Sequence, residues 1–162
     1  MKIAVITGAS SGMGRDFAIK IDKEYTLDEI WLIARREERL KELGKELKTK
    51  ARILSYDLSS PSSIEEYKDL LNETKPEVEI LVNAAGFGVF GAFENSGEKQ
   101  SDIVILNDKA LVDVTYTTLP YLKSGSSIVN LGSNSSWQPV PYIAVYGASK
   151  AFVLSFSRAL SM

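Results

Sequence analysis

Lys2-Ile3-Ala4-Val5-Ile6-Thr7-Gly8-Ala9-Ser10-Ser11-Gly12-Met13-Gly14 is the stretch that decides the fold. Residues 2–6 form a short, largely apolar run with the character of a strand. Gly8, Gly12 and Gly14 follow at once, and Phe17, Ala18 and Ile21 then recur at helical spacing. The stretch reads as strand, glycine-rich turn and helix. Gly8 is expected to permit the tight turn, Gly12 to let the backbone approach a pyrophosphate, and Gly14 to bring helix and strand close together. The N-terminus of the helix offers unpaired N–H groups and the positive end of its dipole to phosphate. An ordinary βα turn is the alternative, but the position directly after the first strand favours nucleotide binding.

The rest of the chain repeats the alternation. Strands are expected near 2–6, 29–33, 51–55, 79–82 and 126–130. Helices are expected near 13–24, 36–48, 61–73, 99–122 and from about 145 onward. Nearly continuous apolar strands alternating with helices predict an α/β fold, a doubly wound parallel sheet with helices on both faces and right-handed crossovers. Ser60-Pro61 is a helix entry, with Ser60 as cap and Pro61 in the first turn. Lys75-Pro76 ends that helix. No repeat, linker or low-complexity tract divides residues 1–162, which read as a single domain. The last helix runs to Met162 and leaves strand 126–130 as a sheet edge, although Ile128-Val129-Asn130-Leu131 reads as buried. The expectation is the N-terminal portion of a longer chain whose C-terminal strands are missing here. A short protein that pairs with itself is the alternative.

Composition removes whole classes of chemistry. With 44% apolar residues the chain can bury a core. A net charge of −2, with Arg35-Arg36 as the basic run, argues against nucleic acid or an anionic membrane as partner. There is no Cys, hence no disulfide or thiolate metal site, and no His, hence no imidazole catalysis or His-ligated metal; no metal is expected. No apolar run is long enough for a signal peptide or membrane span, so a cytoplasmic location is expected. Acid–base work falls to Tyr, Lys or carboxylates. Val145-Tyr146-Gly147-Ala148-Ser149-Lys150-Ala151 places a Tyr and a Lys one turn apart on one helix face. A neighbouring ammonium favours the phenolate, so the pair is a candidate proton donor and acceptor. A solvated helix face is the commoner use of that spacing; the glycine turn upstream makes it informative.

Thr7–Gly14, Asn83-Ala84-Ala85-Gly86 and Tyr146-Gly147-Ala148-Ser149-Lys150 stand in one order along essentially the whole chain. Together they resemble the short-chain dehydrogenase/reductase family. The resemblance implies a Rossmann-type fold, an NAD(P)-dependent oxidoreductase and a homodimer or homotetramer. It also implies more sheet and a substrate-covering segment beyond this chain's end. Ala84 stands where the family usually has a second Asn, which removes that side chain's hydrogen bonds.

By the same resemblance, the catalytic residues are Asn107, Ser133, Tyr146 and Lys150. Ser133 stands thirteen residues before Tyr146, with Ser135 and Ser136 as nearby competitors that otherwise read as turn-forming hydroxyls. Asn107 otherwise reads as an exposed helix residue. Tyr146 is expected to be the acid in reduction and the base in oxidation. Lys150 is expected to support the phenolate and bind the nicotinamide ribose. Ser133 is expected to donate to the substrate oxygen, and Asn107 to hold Lys150 through a water.

Cofactor contacts are expected from Gly8, Ser10, Ser11, Gly12, Met13 and Gly14. Further contacts are expected from Arg35 and Arg36, from Asp57 and Leu58 at the adenine, and from Asn83, Ala84, Ala85 and Gly86. The second strand ends in Ala34-Arg35-Arg36 rather than a carboxylate. This favours the 2′-phosphate of NADP(H), with NAD(H) as the alternative should Glu37 and Glu38 neutralise the arginines. Phe87, Val89, Phe90, Trp137, Pro139, Val140, Pro141 and Tyr142 suggest an apolar pocket for a small carbonyl or alcohol with a hydrophobic body; ordinary core or subunit-interface packing is the alternative. Oligomerisation is expected through helices 99–122 and 145–161, by way of Phe152, Val153 and Phe156. Competing functions are nucleotide binding without turnover, and sugar-nucleotide epimerisation or dehydration on a related fold. The spacing from Gly8 to Gly12 and Ala148-Ser149 argue against the latter.

Overall fold

All five expected strands form: β1 (Lys2–Thr7), β2 (Glu29–Ile33), β3 (Lys50–Leu54), β4 (Glu77–Asn83) and β5 (Leu122–Asn130). The structure is a computed structural model and describes residues 1–95, 97 and 99–161. The strands make one sheet in the order β3-β2-β1-β4-β5, with every pairing parallel. From β1 the chain first winds outward through β2 and β3, then returns to the other side for β4 and β5. Such a reversal opens a crevice at the carboxyl ends of the strands. Thr7 pairs with both Ile33 and Asn83, so β1, β2 and β4 end level with one another at that crevice.

Side-chain alternation sends each strand's residues to two cores. On one face, Ile6, Leu32 and Val82 pack with Ala18 and Ile21 of α1 (Gly12–Glu24) and with Leu40 and Leu43 of α2 (Glu37–Glu46). On the other, Val5, Trp31 and Leu81 pack with Tyr67 and Leu71 of α3 (Pro61–Thr74) and with Val114. Burial on both faces is why the strands read as continuous apolar runs. Each large side chain removed from water contributes about 1.5–3 kcal/mol. The start of α3 is as expected in position, but the Ser60 hydroxyl shares its hydrogen bond with Ser62 rather than capping the helix. Lys75 ends α3 in the left-handed region, at φ 43°.

Two expectations are corrected. The single helix over 99–122 is broken into α4 (Lys99–Val104), a π turn (Ile105–Lys109) and α5 (Ala110–Thr118), followed by a 3₁₀ turn, Leu119–Tyr121, that contains Pro120. The π turn widens the helix at Asn107 and Asp108, and such turns recur at functional sites. Strand β5 also begins earlier than residue 126. Val78 pairs with Leu122 but Ile80 with Ser127, so the intervening segment bulges, with Gly125 at φ 94°. The Ser126 hydroxyl closes the bulge by donating to the Val78 carbonyl at 2.7 Å. Among the described residues β5 is an edge strand, and Ile128 and Val129 are half-buried. The last helix, α6 (Ala144–Leu160), packs against α4 and the π turn.

Candidate active site

The glycine turn closes over the end of β1. Gly8 and Gly12 have φ of 67° and 55°, which side-chain-bearing residues rarely adopt. A β-carbon on Gly14 would lie 2.5 Å from the Gly8 carbonyl oxygen, so α1 starts closer to the strand than any other residue permits. At Gly12 the same construction meets nothing within 4 Å. Its bare backbone faces the open crevice. Ser11 precedes α1 without capping it, which leaves the first N–H groups of the helix to an incoming anion. The Thr7 hydroxyl accepts from the N–H groups of Ala84 and Ala85, both at 3.0 Å, and ties this turn to the one after β4.

These turns wall a cleft of about 340 Å³. Gly8, Ser10, Ser11, Gly12, Met13 and Gly14 form one side. Arg35 and Arg36, Asp57 and Leu58, and Ala84, Ala85 and Gly86 complete it. Asn83 does not line it. It is buried behind the cleft, where its amide donates to Thr115 at 3.0 Å and to Asn130 at 2.8 Å, joining β4 to α5 and β5. At the far end, Arg36 Nη2 donates to the hydroxyls of Ser10 at 3.1 Å and Ser11 at 2.8 Å. Glu37 and Glu38 both pair with Lys41 instead, and among the described residues no carboxylate pairs with Arg35 or Arg36. A guanidinium with two hydroxyls and no carboxylate fits a phosphate. Bare Gly12 and the free helix N-terminus fit a pyrophosphate, so these residues suit a dinucleotide.

A second cavity of about 340 Å³ adjoins the first, and Met13, Ala84, Gly86 and Leu131 line both. Tyr146 and Lys150 lie in it. The Lys150 ammonium is 5.8 Å from the centre of the Tyr146 ring and donates to the Leu131 carbonyl at 2.8 Å. Burial lowers the Lys150 pKa, and the nearby Asp108 carboxylate opposes that effect. Gly88 lies flat on the Tyr146 ring; a β-carbon there would stand 2.8 Å from ring atom Cδ2.

Asn107 is buried in the π turn, and its amide is committed to protein groups. Oδ1 accepts from the Phe87 N–H and Nδ2 donates to the Phe87 carbonyl, both at 3.0 Å. Nδ2 also donates to the Ser149 hydroxyl at 3.1 Å, which in turn donates to the Tyr146 carbonyl at 2.8 Å. The amide therefore clamps the loop after β4 to the helix that carries Tyr146.

Ser133 follows Gly132, which lines the second cavity, and is half-buried at the start of a 3₁₀ turn, Asn134–Ser136. The remaining pocket expectations divide. Phe87, Val89 and Phe90 line the cavity that holds Tyr146, and Tyr142 packs on Phe90 with ring centres 5.8 Å apart. Trp137, Pro139, Val140 and Pro141 do not line it. They surround a different apolar cavity of about 590 Å³, bounded by Ser135, Ala144 and Ala151.

Comparison with known proteins agrees with this geometry. A family model described as short chain dehydrogenase matches residues 2–162. The chain belongs to the short-chain dehydrogenases. It is 36% identical over 162 residues to an uncharacterized oxidoreductase of Staphylococcus epidermidis, covering 98% of this chain and 70% of that protein. It is similar to the solved structure of a short-chain dehydrogenase from Sphingobium yanoikuyae in complex with NADPH, with a TM-score of 0.86 and 32% identity over 99% of this chain and 65% of that one. A bulky-bulky ketone specific alcohol dehydrogenase from Comamonas testosteroni gives a TM-score of 0.86 and 31% identity over 99% of this chain and 66% of that one.

Several site residues of this short-chain dehydrogenase escaped the sequence reading. Thr7 and Ser149 act through hydrogen bonds to distant segments. Ile33, Ala34, Tyr56 and Leu106 line the cleft beside the glycine turn through the sheet's geometry. Asp108 is marked in the sequence only by a charge within an apolar helix.

Proposed function

We propose that this short-chain dehydrogenase interconverts a carbonyl and a secondary alcohol with NADP(H). The observation that carries the reading is the continuity of the two cavities, from Arg36, Ser10 and Ser11 at one end to Tyr146 and Lys150 at the other. The NADPH held by the Sphingobium yanoikuyae relative supports the cofactor. When bound, the dinucleotide supplies or accepts the hydride. In reduction, Tyr146 gives its phenolic proton to the carbonyl oxygen; in oxidation the phenolate takes the proton from the alcohol. Lys150 sets a positive charge 5.8 Å from the centre of the Tyr146 ring. Ser133 donates a hydrogen bond to the substrate oxygen as charge develops on it. Asn107 acts by position, holding the loop at Phe87 and the helix at Ser149.

The cavity beside Tyr146 is walled by Met13, Phe87, Val89, Phe90 and Ile143, with Lys150 as the charged group. That lining suits a ketone or aldehyde with an apolar body. No helix among the described residues is long and apolar enough to cross a membrane.

The test is a fluorescence titration of the whole protein with NADPH and NADH, paired with reduction of a panel of apolar ketones. NADPH binds more tightly, and Arg36→Asp weakens it about 10–100-fold while leaving NADH little changed, since a charged hydrogen bond contributes about 1.5–3 kcal/mol. Tyr146→Phe lowers kcat about 10²–10⁴-fold and leaves the NADPH dissociation constant in place. A parent protein that binds NADPH and reduces no member of the panel is instead a nucleotide-binding protein without turnover.

A further inference from the structure

Ser133 and Ser135 look in the sequence like rivals for one role. In the structure they are joined. The Ser135 backbone N–H donates to Ser133 Oγ at 3.3 Å, and the Ser135 hydroxyl donates to the same atom at 3.0 Å. A serine hydroxyl has two acceptor sites and one proton to give. Ser135 thus supplies two donors to Ser133 Oγ, and the capping box adds the Ser136 backbone N–H. The Ser133 backbone N–H is also occupied, by the Ser136 hydroxyl at 3.2 Å.

Ser135 is itself held in place. It is 7% exposed, and a β-carbon on Gly147 would stand 3.8 Å from both its Cβ and its carbonyl oxygen. Gly147 directly follows Tyr146, so the 3₁₀ turn that carries Ser135 is seated on the helix that carries the phenol. A hydroxyl whose oxygen already accepts two hydrogen bonds has its proton pointing away from both donors. It also gives that proton more readily, because hydrogen bonds in series polarise one another.

We infer that Ser135 is a positioning residue: by donating to Ser133 Oγ through both its N–H and its hydroxyl it commits that hydroxyl's proton to the substrate oxygen. The inference rests on the reading of Ser133 and Tyr146 given above. It assigns Ser135 a task that neither rivalry with Ser133 nor turn formation describes. The Ser135→Ala change removes the hydroxyl donor and keeps the N–H donor, so the loss is partial.

The experiment is a double-mutant cycle in the whole protein, using NADPH and the panel ketone reduced fastest. Ser133→Ala lowers kcat about 10²-fold. Ser135→Ala lowers kcat and kcat/KM together about 3–10-fold with NADPH affinity unchanged, the pattern of an interaction made in the transition state. In the Ser133→Ala background, Ser135→Ala causes no further loss, because it has no hydroxyl left to direct. A second readout needs no turnover: calorimetry with benzamide, an unreactive carbonyl, on NADP⁺-loaded protein follows the same non-additive order. Losses that multiply in the double variant overturn the proposal, as does a Ser135→Ala protein indistinguishable from the parent. If Ser133→Ala alone changes neither turnover nor benzamide affinity, the reading of the site has failed, and this proposal with it.

Discussion

Asp108 carries a carboxyl group into the π turn one residue past Asn107, and its Oδ1 is buried with no hydrogen-bond partner among the described residues. Burial raises its pKa from 3.8 to about 6, and the Lys150 charge opposes the rise without cancelling it. An acid whose folded pKa lies above its unfolded value binds more protons in the folded state between the two. Stability therefore falls as pH rises through about 4 to 6 and stays lower above that window. Asp108→Asn is predicted to stabilise the protein by about 1 kcal/mol at pH 7.5, after discounting for solvent screening, and by almost nothing at pH 4. Urea denaturation at both pH values checks this, and an equal gain at both contradicts it. At this scale the sequence revealed local chemistry best. Tyr146 and Lys150 were legible because their spacing lies within one helix. The partners of Asn107 were not, since Phe87 lies 20 residues away and Ser149 lies 42 away. Only the folded chain makes them neighbours.

Between neighbouring strands, one buried carboxylate acts as a clip. Glu29 opens β2, is 4% exposed, and meets Arg52 at 2.8 Å and Lys50 at 2.6 Å on β3. It also accepts the Trp31 indole N–H at 3.0 Å. Burial pushes its carboxyl pKa up, but the hydrogen bonds from Arg52, Lys50 and Trp31 outweigh burial and hold it at about 2. A depressed carboxyl contributes stability above its unfolded value of 4.5 that is lost as pH falls towards 2. Arg52 is the stronger partner, since it also stacks over Trp31 at 5.4 Å, whereas Lys50 is largely exposed. Glu29→Gln is predicted to cost about 2 kcal/mol at pH 7 and much less at pH 3, again by urea denaturation. The strands themselves were legible because burial on both faces leaves unbroken apolar runs. The π turn was not, because Ile105-Leu106-Asn107-Asp108-Lys109 has the residue pattern of an ordinary helix. The widened turn shows itself only in the fold, where it packs against α6. Nor was the early start of β5, whose first residues pair across a bulge that no periodicity marks.

For the molecule as a whole, α5 and α6 present aromatic surface beyond the cores. Tyr116 is 77% exposed and Phe152 is 41% exposed, the latter stacked on Phe156 with ring centres 6.0 Å apart. We expect the whole protein to be a dimer or tetramer by light scattering, with Phe152→Glu lowering the mass towards one subunit; a parent of monomeric mass contradicts this. Ser10-Ser11 and Arg35-Arg36 stood out in the sequence as candidate phosphate contacts, whereas the bonding of Arg36 to both serines emerged only from the fold. The division of the apolar residues after Ser133 into a cavity of their own was also invisible, because both cavities draw on the same residue types. The clamp that Asn107 places on Phe87 has one more consequence. It anchors the loop after β4 at its base, next to the chemistry, while Val89 and Phe90 lie past the anchor and Phe90 is 78% exposed. We expect changes at those outer positions to leave the phenol and its ammonium undisturbed. On the proposed function, the loop is a partition between inheritance and novelty: its outer end is free to change what is recognised while its base keeps what reacts.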